Sequence, residues 1–130
     1  MPRYASTSEL PRIIPVFPLS GALLLPRTDL PLNIFEPRYL AMVEHAMAGD
    51  HMIGMIQPAP GDDGARPSLA HVGCLGRITS YAEADDNRLL IALTGVCRFT
   101  ITRERAVRTP FRQVEADYSG FAADLVSENN

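Results

Sequence analysis

The sequence contains no lysine, and all 12 of its basic residues are arginine. A chain without lysine has no P-loop lysine to hold a nucleotide phosphate, no lysine to form a Schiff base and no Ser–Lys dyad. ATP hydrolysis of the P-loop kind, pyridoxal chemistry and Ser–Lys proteolysis are therefore excluded within this chain.

A concentrated positive charge is also missing. The formal net charge is -3, the pI is near 5.5, and the arginines are scattered along the chain. Proteins that bind nucleic acid usually carry a massed basic surface. The composition therefore argues against nucleic acid as a partner.

Long hydrophobic runs are absent as well. No stretch approaches the ~20 apolar residues that a membrane helix needs. Residues 1–12, MPRYASTSELPR, lack the apolar core of a secretory signal. With 46% hydrophobic and 21% charged residues, the 130 residues suit one globular domain. We therefore expect a cytoplasmic protein without membrane contact.

The sequence has only two cysteines, Cys74 and Cys97. In a cytoplasmic protein such residues usually act as small buried hydrophobes, with a disulfide or a reactive or metal-binding pair as alternatives. A hairpin that turns between Asp85 and Asp86 would place the two cysteines opposite each other. A bulge at Gly95 would shift that register by one residue. We predict neighbouring strands and a reduced pair.

A metal site is not indicated by the remaining candidate ligands. His45, His51 and His71 do not match the zinc pattern of paired ligands a few residues apart. Asp85 and Asp86 are better explained as a turn, because calcium needs further oxygen ligands. We predict neither a metal nor another cofactor.

Residues 30–49, LPLNIFEPRYLAMVEHAMAG, join an extended run directly to a helix. Pro31 and Pro37 favour extended geometry at residues 30–35, and Pro37 also suits the first turn of a helix. The apolar stripe predicted for this helix consists of Tyr39, Leu40, Met42, Val43, Ala46 and Met47. Gly49 is predicted to close the helix in left-handed geometry.

The rest of the chain reads mostly as strands. We predict strands at residues 13–19, 51–57, 71–81, 88–103 and 110–118, the first an edge strand bent by its two prolines. The fold class is mainly β (α+β): a closed or partly closed antiparallel sheet with the helix against one side. We divide the chain into a flexible arm at 1–12, a barrel domain at 13–118 and the start of a helical region at 119–130.

Four segments resemble a known family when they are taken in order. They are IPVFPL at 14–19, LPLNIFEPRY at 30–39, VGCLGRI at 72–78 and LTGVCRF at 93–99. The chain resembles the N-terminal, substrate-binding domain of the ATP-dependent Lon proteases, which also occurs as a free-standing bacterial protein and within cereblon. The resemblance covers residues 13–118, and FEPRY followed later by G-x-x-R-F is a specific combination.

The resemblance implies a PUA-like, six-stranded pseudo-barrel with one packed helix and a short C-terminal helical stub. It also implies recognition of unfolded or damaged protein segments and of adaptors, upstream of a hexameric ATPase and protease. The family's catalytic apparatus lies outside this domain. Because a helical bundle usually follows the barrel, a chain ending at Asn130 is expected to be a truncated piece or a naturally short member.

The structural signature of the resemblance comprises Phe35, Glu36, Pro37, Arg38, Tyr39, Gly95, Arg98 and Phe99. We expect Glu36 or Arg38 to tie the first turn of the helix to the barrel, so that Arg38→Ala destabilises the fold. A charged recognition site at these two residues is the alternative. Arg98 is expected on a polar outward face, with a bound peptide carboxylate as its alternative role.

Candidate protein contacts come from two apolar stretches, Leu23, Leu24 and Leu25 in the first and Phe121 and Leu125 in the second. Alternate side chains of a strand face opposite sides, so at least one of the leucines should be exposed or covered by another segment. Phe121 and Leu125 lie on a helical face that must fold back, pair with another copy or fray. Self-association through this face is therefore an option.

Three functions remain to be compared. The first is a non-catalytic module that binds unfolded polypeptide or a partner protein, possible partners including a protease or an adaptor. The second is a PUA-like RNA-binding module, against which the charge composition argues. The third is a small Cys or His hydrolase, for which the sequence offers no nucleophile, base and orienting group in a recognisable set.

Overall fold

The computed structural model describes residues 4–61 and 66–125. In chain order the elements are β1 (Ile13–Pro18), β2 (Asp29–Ile34), α1 (Pro37–Met47), β3 (Met52–Ile56), β4 (Val72–Glu83), β5 (Leu89–Glu104) and β6 (Arg112–Asp117). Two 3-10 segments, Thr7–Glu9 and Ser119–Leu125, flank the sheet. The predicted mainly β fold with one main helix is confirmed. The outer parts of the predicted arm and C-terminal region, 1–3 and 126–130, lie outside the described residues.

The six strands form one sheet that closes on itself as a pseudo-barrel. Their order is β2-β5-β4-β3-β1-β6, and β5 also pairs with β6. All these pairs are antiparallel except β1 with β3, which is parallel. The exception arises because β2 and α1 lie between β1 and β3 in sequence and supply the crossover that parallel strands need.

β1 is not the edge strand that its prolines suggest. It lies between β3 and β6 in the sheet. β6 pairs with Ile13 to Val16, whereas β3 pairs with Val16 to Pro18. Each proline therefore has a paired neighbour on only one side, which lets an interior strand contain both.

α1 packs its predicted apolar stripe against the sheet. Tyr39, Met42, Val43 and Ala46 are buried, and the Tyr39 ring lies 4.2 Å from the ring of Phe17. The prediction for the end of the helix is wrong, because the left-handed residue is His51, with φ 63°, and not Gly49. The backbone N–H of His51 donates to the Ala46 carbonyl at 2.8 Å, which satisfies one open carbonyl of the last turn.

β4 and β5 form the predicted hairpin, but the cysteines are not directly opposite each other. Cys74 pairs with Arg98, and Cys97 pairs with Leu75. The register shifts by one residue between Leu75 and Gly76, opposite the Gly95 region, as a bulge at Gly95 would predict. The cysteines thus lie on neighbouring strands, and both thiols are free.

Two core clusters lie on opposite faces of the strands. The helix-side core contains the buried face of α1 together with Ile53, Met55 and Cys74. The barrel core contains Val16, Leu75, Cys97 and Phe99 among others. Because successive strand residues face opposite sides, neighbouring residues such as Cys74 and Leu75 enter different cores.

Residues 4–12 contact the barrel. Leu10 is 7% exposed and belongs to the barrel core. The Arg77 guanidinium donates to the hydroxyl of Tyr4 at 3.0 Å. The described part of the predicted arm is therefore fixed to the sheet by both apolar and polar contacts.

Candidate functional site

Residues 22–28 form a loop, which we call the leucine loop, that is bound to β5 at Gly95. The Arg27 N–H donates to the Gly95 carbonyl at 2.8 Å, and the Gly95 N–H donates to the Thr28 carbonyl at 2.9 Å. Arg27 reverses the chain with φ 64°. A side chain at residue 95 would overlap the Leu25 carbonyl, so glycine is what allows the loop to lie this close to the strand.

The three leucines of this loop have different environments. Leu24 is 3% exposed and packs in the helix-side core, whereas Leu23 is 68% exposed and Leu25 is 47% exposed. The segment is not a strand, so alternation within a sheet is not the cause. Leu24 is turned inward where Gly76 leaves room for its Cδ2 atom. A Cβ at residue 76 would lie only 2.7 Å from that atom.

The leucine loop forms one wall of an apolar groove of about 110 Å³, which we call the leucine groove. Its lining consists of Ala22, Leu23, Leu24, Leu25, Met55, Ile56, Gln57, Val72, Gly73, Cys74 and Arg98. The Gln57 side-chain amide donates to the Ala22 carbonyl at 2.7 Å and joins the loop to the end of β3. The groove is therefore held in shape by the fold's own contacts, with Leu23 and Val72 exposed beside it.

The groove offers hydrophobic contact but no reactive thiol. Burial raises the pKa of Cys74 to about 12, the negative charge of Asp124 adding to the effect. Burial likewise raises the pKa of Cys97 to about 11. Because the thiolate is the nucleophile, neither cysteine is activated at neutral pH.

The C-terminal segment Ser119–Leu125, which we call the strap, is fastened to β5 by Asp124. The Asp124 carboxylate accepts from Nε and Nη2 of Arg98 at 3.0 and 2.9 Å, and from the Arg98 backbone N–H at 2.9 Å. The Asp124 carbonyl accepts from Arg27 at 2.6 Å. The Arg98 guanidinium also lies 4.8 Å from the centre of the Phe121 ring. One residue of the strap thus contacts both β5 and the leucine loop.

Phe121 and Leu125 pack against the barrel core, and both are partly buried. Of the three arrangements expected for this face, the described strap adopts the one that folds back. Arg98 lies on an exposed position of β5, and its carboxylate partner within the described residues is Asp124.

Asp124→Asn should lower the free energy of unfolding at neutral pH by about 1–2 kcal/mol. This is the contribution of a charged hydrogen bond, reduced because the arginine is half exposed. The hydrogen bond from Arg98, together with the backbone bond and the nearby arginines, holds the pKa of Asp124 below its usual value. A carboxylate whose pKa is lower in the folded protein stabilises the fold at pH values above its unfolded pKa of about 4. That stabilisation is lost as the pH falls through the folded pKa. Urea unfolding of both proteins between pH 7 and pH 2 measures the difference, which should shrink towards acid.

The matched control for that experiment is Asp117→Asn. Asp117 is exposed, and its carboxylate accepts the Ser119 backbone N–H at 2.9 Å. Ser119 alone lowers the pKa of Asp117, with no arginine of the described residues contributing. The substitution should therefore change stability by less than Asp124→Asn. An equal loss in both variants, or a loss that does not depend on pH, would contradict the role of the Arg98 pair.

The Glu36–Arg38 pair does not tie the helix to the barrel, contrary to the sequence prediction. Arg38 donates to Glu36 at 3.3 Å, and both side chains are about half exposed. The Arg38 guanidinium also lies 4.8 Å from the centre of its neighbour Tyr39. An exposed local pair of this kind contributes only about 0–1 kcal/mol. The helix is held by Tyr39 and the rest of its buried face, and Phe35 is 62% exposed.

The histidines and carboxylates of the described residues form no cluster of three or more that could hold a metal ion. His45 instead packs its ring 5.1 Å from the ring of Phe111. Within the same part of the chain, no helix is long and apolar enough to cross a membrane.

Comparison with known proteins identifies the family. The family model for the ATP-dependent protease La (LON) substrate-binding domain matches residues 13–126. The chain belongs to the Lon substrate-binding domain family. The matched region corresponds to the substrate-binding part of Lon and leaves out the parts that carry ATP hydrolysis and proteolysis.

Individual Lon proteases and solved Lon domains are similar to this chain. The Lon protease of Desulfosudis oleivorans is 29% identical over 96 residues, covering 72% of this chain and 12% of that protein. A Lon N-terminal domain protein from Xanthomonas campestris has a TM-score of 0.67 at 28% identity, covering 82% of this chain and 59% of that one. The N-terminal domain of the Mycobacterium avium complex Lon protease has a TM-score of 0.64 at 15% identity, covering 82% and 54%, and supports the fold alone. This chain therefore spans only a small part of the Lon proteases that it matches.

Several residues of the site were not singled out from the sequence. Met55 and Val72 were recognised only as strand residues, and their meeting with the leucine loop depends on the order of strands in the sheet. Asp124 lies 26 residues from its partner Arg98, and no periodicity joins them. The G-x-x-R-F motif was a signal for Arg98, but it did not indicate what Arg98 would bind.

Proposed function

We propose that this chain is a non-catalytic protein-binding module that holds an apolar side chain of an unfolded polypeptide or partner protein in the leucine groove. The observation that carries the proposal is the exposure of Leu23 and Val72 beside a groove that is apolar and held in shape by the fold's own contacts. Exposed apolar surface of this kind is characteristic of sites that bind other proteins. Membership of a substrate-binding family supports the same conclusion.

The dimensions of the groove favour weak and permissive binding. A cavity of about 110 Å³ is somewhat smaller than the roughly 150 Å³ cavity that accommodates benzene, so it suits one aliphatic side chain. Burying one such side chain yields about 1.5–3 kcal/mol, which alone gives a weak complex.

The biological setting follows from the family by analogy. Lon proteases are the relatives of this chain, so we propose that it acts in protein degradation in the cytoplasm, with a protease or an adaptor as a further partner. Self-association through Phe121 and Leu125 would require the strap to detach from the barrel, so we do not place the contact surface there.

An RNA-binding role receives no support from the arginines. Among the described residues, seven arginines form ion pairs with carboxylates: Arg12, Arg38, Arg66, Arg88, Arg98, Arg103 and Arg112. Arginines that are paired in this way are less available for phosphate groups. The protein-binding role is therefore the one we propose.

Leu23→Ser and Leu25→Ser should each weaken binding of apolar peptides while leaving the protein folded. Both side chains are exposed, so little packing is lost, whereas a wall of the groove becomes polar. Fluorescence anisotropy with extended apolar peptides should record about a five- to thirtyfold loss of affinity, corresponding to the removal of roughly 1–2 kcal/mol of apolar contact.

Leu90→Ser provides the matched control, because Leu90 is also 47% exposed but lies opposite Asn33 on another part of the sheet. It should leave peptide affinity unchanged. Equal losses at Leu23 and Leu90 would place recognition elsewhere and overturn the proposal. Leu24 is unsuitable for this experiment because it is buried and its replacement would disturb the core.

A further inference from the structure

Arg98 is the one charged residue that lines the leucine groove within the described residues. Its partner Asp124 balances its charge, and at Cys74 in the groove wall the negative charge of Asp124 raises the thiol pKa more than Arg98 lowers it. A peptide carboxylate would therefore be held by the guanidinium donors that Asp124 leaves open, and not by a net positive field.

Arg98 keeps hydrogen-bonding capacity although it is paired with Asp124. The two side-chain bonds to Asp124 use Nε and Nη2. A guanidinium has five N–H donors, so the two donors on Nη1 are not used by this pair. The Arg98 side chain is 45% exposed, which leaves it accessible from the groove.

We propose that the leucine groove selects an apolar residue that has an aspartate or glutamate beside it in an extended segment. This inference rests on the proposed function and names the class of peptide that the same site prefers. The apolar side chain would occupy the groove, and the neighbouring carboxylate would accept hydrogen bonds from Arg98. We assign the carboxylate to a side chain because the proposed ligand is an internal segment of an unfolded chain.

The expected preference is modest because Arg98 is half exposed and already shared with Asp124. Exposed ion pairs contribute about 0.2–1 kcal/mol, which corresponds to a preference of about 1.4- to fivefold. Salt screens such pairs, so the preference should decrease as ionic strength rises. Binding of the apolar residue itself should persist at high salt.

The test compares three peptides that share one apolar residue in an otherwise neutral extended segment. The apolar residue is followed by Asp, Asn or Lys, and both peptide ends are blocked. We expect the Asp peptide to bind about 1.4- to fivefold more tightly than the Asn peptide, and the Lys peptide to bind most weakly. A fourth peptide has Asn in that position and a free C-terminal carboxylate.

Two variants separate the charge of Arg98 from the attachment of the strap. Arg98→Gln and Asp124→Asn both break the ion pair that fastens the strap, but only the first removes the positive charge. Arg98→Gln should abolish the preference for Asp over Asn. Asp124→Asn should increase it, because Arg98 then has no competing carboxylate.

The outcomes distinguish this inference from the function on which it rests. If none of the four peptides binds to the protein, the proposed function fails. If all peptides bind equally, or if both variants change the preference in the same direction, the proposed function stands and the acidic preference is wrong. A preference shown only by the peptide with a free C-terminus would overturn the assignment to an acidic side chain.

Discussion

Gly95→Ala is expected to destabilise the protein by about 3 kcal/mol, at the upper end of the effects of inserting atoms into a packed site. A Cβ at this position would overlap the Leu25 carbonyl and lie 3.1 Å from the Pro26 Cα. These are backbone atoms, so they cannot rotate away. The leucine loop would have to separate from β5 and lose its two hydrogen bonds to residue 95. Chemical denaturation followed by circular dichroism measures the loss.

The control for Gly95 is Gly120→Ala. No atom lies within 4 Å of a Cβ built at Gly120, so the substitution adds a methyl group into open space. We expect a change of less than about 0.5 kcal/mol there, as for most exposed positions. If Gly95→Ala were as well tolerated, the close approach of the loop to the strand would not exist in solution.

Phe99→Ala is expected to cost about 3–5 kcal/mol, the usual range for removing a buried aromatic ring. Phe99 is 0% exposed and is among the largest fully buried side chains of the described residues. Cβ atoms at Gly54 and Gly73 would lie 3.0 and 2.8 Å from its ring, so the ring occupies space that both glycines leave open. Those positions cannot fill the cavity, and thermal unfolding should show a large fall in the midpoint.

Phe35→Ala is the matched comparison for Phe99. Both residues belong to the sequence signature of the family, but Phe35 is 62% exposed. Its loss should change the free energy of unfolding by less than about 1 kcal/mol. A large effect at Phe35 together with a small one at Phe99 would mean that the barrel core is arranged differently.

The G-x-x-R-F motif shows how far the sequence determines the site. Alternation along β5 is enough to predict that Phe99 is buried, and glycine between two strand halves is enough to predict a bulge. The motif does not reveal that Gly95 accommodates the leucine loop or that Arg98 binds Asp124. Those contacts join segments that are distant in sequence, and their partners are fixed only once the sheet has formed.

The segment from β2 to α1 was predicted well because its signals are local. Proline geometry and a helical period specify an extended run followed by a helix without reference to the rest of the chain. The position of β1 was predicted wrongly for the opposite reason. Two prolines usually indicate a free edge, but here two different neighbours divide the strand between them.

The position of β2 at the end of the strand order affects whether a further strand can be added to the sheet. Within the described residues β2 pairs with β5 alone, so its other side could act as a template for further strands. Pro31 lies in the middle of β2, and a proline in such a strand has no N–H to offer on the solvent side. The hydrogen-bond ladder between β2 and an added strand would therefore be interrupted at Pro31. β2 is therefore a poor template for the addition of a further strand to this sheet.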